Sequence, residues 1–205
     1  METIKDTTIK QIIKDSLVNS MSYQAYRDLV STLVEKESNT GHEVTLALAN
    51  YTMLNDRRMK RWDKTIKIDE ALKASIKNKS INQTWLVITE SWCGDAAHVM
   101  PVINKIAELN EGIEYRVVLR DENEALMDQF LTNGSRSIAK LIIIDNKTQN
   151  VVATYGPRPS TATTLVNNYK AKHGRLTPEF KEDLQKWYNQ DKGQTTIADL
   201  VNLIN

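Results

Sequence analysis

Cys93 is the only cysteine among the 205 residues. It follows a short run of β-formers, Trp85-Leu86-Val87-Ile88-Thr89, and opens a helical pattern that runs from about 95 to 109. A cysteine at a helix N-terminus meets unpaired backbone N–H groups and the positive end of the helix dipole. Both stabilise a thiolate, the species that attacks disulfides. One cysteine cannot close an internal disulfide, nor build a thiolate metal site by itself. His42, His98 and His173 lie far apart with no ligand spacing, so no metal is expected. Two acids flank the cysteine, Glu90 three residues before it and Asp95 two after. Either could move protons, yet both disfavour a nearby thiolate by like charge, so the direction of the thiol pKa stays open. Solvation and helix capping are the expected roles of both carboxylates. Trp92 is placed to shield the thiol. His98 stands five positions after Cys93, about 500° around the helix, so the two side chains are expected to point to different sides.

The elements that must hold this group follow from periodicity. Before residue 80 only helical patterns occur. Ile9, Ile12, Ile13 and Leu17 recur at helical spacing. Ser22 precedes a second stripe of Tyr26, Leu29, Val30 and Leu33. A third run spans about 43–59, and Asp69 caps a fourth over 70–79. Strands are predicted at 85–89, 114–119, 140–144 and 151–155, with helices at about 95–109 and 124–131. The first two strands are joined by a helix and should pair in parallel. The last two flank a polar turn, 145–150, and should form a hairpin. Helices follow at 160–172, at about 177–190 with Thr177 capping Pro178, and at 195–204. The pattern is an α/β fold with a mixed sheet, β-α-β-α-β-β-α, and extra helices at both ends. The division expected is 1–80 as a helical extension packed on the main domain, 81–175 as that domain, and 176–205 as C-terminal helices. The side chains of Trp62, Trp85 and Trp187 read as packing.

Trp92-Cys93-Gly94-Asp95-Ala96 with Pro101 eight residues after Cys93 resembles the active site of the thioredoxin-like superfamily, where Trp-Cys-Gly-Pro-Cys opens a proline-kinked helix. Ser137-Ile138-Ala139-Lys140-Leu141 resembles the thioredoxin segment Ile-Pro-Thr-Leu, whose cis proline faces the nucleophilic cysteine. This part of the resemblance covers about 84–172. The whole chain looks like a bacterial branch with a helical N-terminal extension. That branch carries Tyr-Thr-x-Leu-Asn-x-x-Arg-Met-Lys-Arg, here 51–61, and Gly-Pro-Arg-Pro, here 156–159. Three departures stand out. Ala96 occupies the position of the resolving cysteine, Ala139 that of the cis proline, and Val87 that of the buried aspartate. A cis bond before a residue other than proline costs about 2.5–4 kcal/mol, so a trans bond is expected at Ala139.

The resemblance implies a monothiol thiol–disulfide oxidoreductase. Cys93 would be the nucleophile, with Trp92, Gly94, Asp95 and Glu90 around it. Ile138, Ala139, Arg136 and Arg158 would contact the substrate. Without a second cysteine, release of a mixed disulfide needs an external thiol. No organic cofactor is implied, and a small thiol such as glutathione would serve. The competing reading is a redox-inactive thioredoxin-fold module that binds a protein. Partners are therefore a protein or small-molecule thiol or disulfide. Charge is balanced, with 27 Lys+Arg against 26 Asp+Glu, so neither nucleic acid nor an anionic membrane is expected as a partner. The basic run Arg57, Arg58, Lys60, Arg61 and Lys64 reads as a solvated helix face with the capacity to bind an anion. The first six residues carry early acids and no apolar stretch, and no segment approaches about 20 apolar residues, which gives the expectation of a cytoplasmic protein.

Overall fold

A computed structural model describes residues 4–204. The reading of the first six residues falls partly on 1–3, outside the described residues. The order is α1 (Ile4–Val18), α2 (Tyr23–Glu35), α3 (Leu46–Thr65), α4 (Glu70–Lys77), β1 (Gln83–Thr89), α5 (Ala96–Ala107), β2 (Ile113–Leu119), α6 (Glu124–Gln129), β3 (Lys140–Asp145), β4 (Val151–Tyr155), α7 (Ser160–His173), α8 (Pro178–Asp191) and α9 (Gln194–Leu203). The four strands lie in the order β2-β1-β3-β4. β1 pairs in parallel with β2 and antiparallel with β3, and β3 pairs antiparallel with β4, as the connections dictate. This is the mixed α/β sheet with extra terminal helices that the sequence predicts.

The sheet exists because β1 and β3 can be buried almost completely. Trp85, Leu86, Val87 and Ile88 are fully enclosed, as are Ile142 and Ile143 beside them. Such near-continuous apolar runs suit central strands covered on both sides. α5 packs its apolar positions onto this core through Met100, Val102, Ile103 and Ile106, with Pro101 inside the helix. The outer edge of β2 is closed by the N-terminal segment. Met21 and Val117 exchange two backbone hydrogen bonds, 2.9 and 2.8 Å, and Arg116 Nε donates to Ser20 Oγ at 2.9 Å. An edge strand is thereby partnered. A smaller apolar cluster joins α7 to α8 through Ala162, Val166, Leu184 and Tyr188.

α3 is the element that reaches the cysteine, and its limits differ from the sequence expectation. It starts later, at Leu46, because Thr45 Oγ1 accepts from Leu48 N at 3.2 Å and so caps the helix there. It runs on past Met59 because Trp62 continues the buried face of Thr52, Asn55, Met59 and Trp62. Replacing Thr45 with alanine removes this cap. The expected loss is about 1 kcal/mol of unfolding free energy, measured by urea titration.

The bond between Ile138 and Ala139 is cis. The trans expectation from local cost is thus overturned by the tertiary setting. The segment packs its Ala139 carbonyl against Gly156, where any Cβ would lie 2.3 Å from that oxygen. Gly156 has φ +102°, a conformation that glycine adopts readily. Among the described residues no helix is long and apolar enough to cross a membrane.

Candidate functional site

The loop between β1 and α5 is anchored from below by a buried polar network. Ser91 Oγ accepts from Thr40 N at 2.9 Å, and Ser91 N donates to Thr40 Oγ1 at 2.8 Å. Thr52 Oγ1 lies 2.8 Å from Ser91 Oγ, and Asn55 Nδ2 donates to Ser91 O at 2.9 Å. Thr52 and Asn55 belong to α3 and Thr40 to the loop before it. Helical residues distant in sequence therefore fix the turn that presents Cys93.

Cys93 sits at the start of α5 and is 8 % exposed. Its Sγ donates to the carbonyl of Ile138 at 3.2 Å, across the cis turn. Ala96 N points at the same sulfur from 3.5 Å. Burial is the larger influence on the thiol, and the Asp95 carboxylate adds to it. Together they push the pKa up to about 12, against the pull of the helix amides and of Arg158. The question the flanking acids left open is answered on the side of the neutral thiol.

Neither acid is the solvated or capping residue expected. Asp95 makes no side-chain cap hydrogen bond. Its Oδ2 pairs with Arg158 Nη2 at 2.7 Å, and its Oδ1 accepts from Tyr188 Oη at 2.9 Å. Burial raises its carboxyl pKa, and the arginine and the phenol oppose the rise. Glu90 is fully enclosed. Its Oε1 accepts from Asp121 N at 2.9 Å, and its Oε2 has no hydrogen-bond partner among the described residues. Burial raises this carboxyl too. Side chains of this type are rarely enclosed without a partner, so their type alone points to the surface. The partners come from the loop after β2, from the loop after β4, and from α8.

Trp92 is half-buried. Its Nε1 donates to Thr40 O at 3.1 Å, and the Arg120 guanidinium lies 4.9 Å from its ring centroid. Gly94 faces α3, where Arg58 Nη1 would be 3.7 Å from a Cβ placed on that glycine. Ile138 and Ala139 are buried beside the sulfur, and Arg158 is held on Asp95. Arg136 is held on α6. Its Nε and Nη2 grip Asp128 at 2.6 and 2.7 Å, and Nη1 reaches Glu124 at 3.1 Å. His98 faces away from the thiol, as its rotation around the helix predicts. It receives Trp62 Nε1 at 2.9 Å and stacks on Tyr188 with ring centroids 4.1 Å apart. Tyr188 is the site residue that sequence reasoning misses, since nothing local marks it; Arg58 is singled out by the sequence only as one member of the basic run with the capacity to bind an anion. Among the described residues no three His, Cys, Asp or Glu side chains gather as a metal site would require.

A family model described as thioredoxin matches residues 41–171. The chain belongs to the thioredoxin family. The matched span starts before α3, so the helix that braces the cysteine loop lies within the family's own region. The chain is also similar in structure to a protein of unknown function from Pseudomonas aeruginosa, with a TM-score of 0.57 and 16 % identity over 76 % of this chain and 89 % of that one. A second similar structure is an HIV epitope-scaffold protein, with a TM-score of 0.55 and 15 % identity over 90 % of this chain and 98 % of the other. At such identities the two structures bear on the fold. No curated protein matches the chain.

Proposed function

We propose that this thioredoxin-family protein performs monothiol exchange through Cys93, with the thiol held neutral until a partner engages it. The observation that carries the reading is the placing of the sulfur. It lies just before α5, with Ala96 N aimed at it and the Ile138–Ala139 turn facing it. In the reaction the Cys93 proton is lost to solvent and the thiolate attacks one sulfur of an external disulfide. A Cys93–S–S–R bond forms, and the other half leaves as a thiolate. A second external thiol then releases Cys93, since the chain holds no other cysteine. The Ile138 carbonyl accepts the S–H and so favours the resting thiol. A partner that takes this acceptor for its own backbone frees the sulfur.

The test is to incubate the wild-type and Cys93→Ser proteins with glutathione disulfide from about pH 7 to 10 and weigh the intact chains, the range being set by the ~8.5 of a free thiol. Wild type should gain one adduct, faster as pH rises, and the serine variant none. If the folded wild type gains no adduct while the urea-unfolded chain does, exchange is not its function.

A second reading has its own support. Tyr51 and Leu54 are exposed, and with Arg58 they lie at i, i+3 and i+7 along one side of α3, ending over Gly94. A redox-inactive module would dock a protein on such a face. Its partners would be retained by a Cys93→Ala protein.

A further inference from the structure

We propose that Arg58 is a carboxylate anchor, and that the small disulfide or thiol meeting Cys93 is one that carries a carboxylate. The substrate class rests on the exchange reading above; the anion contact stands without it. Within the basic run, Arg57, Lys60, Arg61 and Lys64 are exposed. Lys60 pairs with Asp56 at 2.7 Å, and Arg61 lies over the Trp62 ring and donates to Asn189. Arg58 alone among them is half-buried. Its one hydrogen bond among the described residues goes from Nη1 to Asn55 Oδ1 at 2.9 Å, and no described carboxylate lies within ion-pair distance. The nearest candidate, Asp95, already has one oxygen on Arg158 and the other on Tyr188.

A guanidinium partly taken out of water without an ion pair of its own is unfavourable. Burial first, and then the neighbouring Arg61, lower the pKa of Arg58, while Tyr51 and Asp95 oppose the fall. Asn55 nonetheless ties it in place, and Asn55 is the residue that also holds Ser91 O. The fork is thus fixed to the loop that carries Cys93, with its remaining N–H groups unclaimed. Arginine binds a carboxylate through two parallel hydrogen bonds, which a rigidly placed fork offers at little entropic cost. Gly94, immediately after the cysteine, lies next to the fork: a Cβ on it would stand in van der Waals contact with Arg58 Nη1, 3.7 Å away. A ligand with a sulfur at Cys93 and an acid group a few bonds away meets both.

The probe is S-methylglutathione, which keeps its carboxylates and cannot exchange, titrated into the 15N-labelled protein. The amide signals of Gly94, Asp95 and Ala96 and the Arg58 Nε–Hε signal should shift together. The diethyl ester should bind more weakly, and Arg58→Gln should weaken the acid by about tenfold, the value of one charged hydrogen-bonded contact. Arg58→Lys should lie between, and Arg57→Gln should match wild type. Equal binding of acid and ester, unchanged binding by Arg58→Gln, or no shift at these amides overturns the anchor. Should Arg58→Gln fail to fold, the ester comparison and the Arg58 signal in wild type decide. A Cys93→Ser protein that still binds the probe, beside a wild type that gains no glutathione adduct, would retain the anchor and remove the exchange reading.

Discussion

In an Asp95→Asn protein, Cys93 should react with iodoacetamide about tenfold or more faster than in wild type near neutral pH, each unit of pKa being worth about a factor of ten in thiolate. Burial is the main cause of the raised thiol and survives the substitution. The carboxylate of Asp95, the second cause, does not. Its removal also releases Arg158, which now attracts the thiolate without an opposing charge. The sign is fixed by the direction of the shift: below its pKa a thiol gains thiolate as the pKa falls, so the variant reacts faster and its rate–pH curve moves to lower pH. Asparagine can still accept the hydrogen bond from Tyr188, so the contact between the α5 turn and α8 persists. A thermal melt on the same sample separates true activation from loosening, because an unfolded thiol titrates near the free value of ~8.5. A variant that melts like wild type and keeps the wild-type rate curve would show that enclosure alone silences Cys93. The same linkage bears on stability. The folded thiol holds its proton to about pH 12, so its contribution is complete below the unfolded pKa and is lost as pH rises between the two.

Local chemistry made much of the fold legible. β4 spans the predicted residues, because a polar turn and alternating burial delimit it on both sides. Ser22, Asp69 and Thr177 cap their helices through the hydrogen bonds that their positions suggest. The position of Cys93 at a helix start was also readable, since it needs only a strand, a turn and a helix in succession. What escaped depends on residues far away. The carboxylate of Asp95 is bound by a tyrosine 93 positions later, and Ser91 by a threonine 51 positions earlier. No periodicity encodes such pairs. The cis bond at Ala139 went against a local cost that reads only one dipeptide, while Gly156 and Cys93 meet that turn from other elements. Glu90 was misplaced for the same reason, as the backbone amide that holds it belongs to Asp121 beyond β2.

His98 should make the protein labile to acid, through a path distinct from the cysteine. The ring is 4 % exposed and wedged between α3 and α8. Trp62 Nε1 donates to Nδ1, so the neutral ring carries its proton on Nε2, which lies 3.1 Å from Gln185 Oε1 and 2.8 Å from Gln185 Nε2, and the amide must present its oxygen to accept it. Protonation would set an Nδ1–H against the Trp62 N–H, two donors facing each other in a buried site. Arg58 and Arg61 on α3 add like charge, and Tyr188, whose hydroxyl is bound to Asp95, covers one face of the ring. Burial is the largest effect, and the pKa falls to about 3. A folded pKa below the unfolded value of ~6.5 gives a stability contribution that is present above pH ~6.5 and lost as pH falls toward 3. Over that window the unfolded chain binds one more proton than the native one, so unfolding free energy should decline by about 1.4 kcal/mol per pH unit from this group, about 5 kcal/mol in all. Raised carboxyls such as Asp95 and Glu90 act in the opposite sense, so the measurement must be a difference. Urea unfolding of wild type and His98→Gln across this range provides it. Glutamine keeps an acceptor for Trp62 and cannot take the proton. The variant should be the less stable protein at pH ~7, through lost stacking on Tyr188, and should lose the acid slope. Parallel curves for the two proteins would mean that His98 titrates alike folded and unfolded, and that the Trp62 hydrogen bond does not hold it neutral.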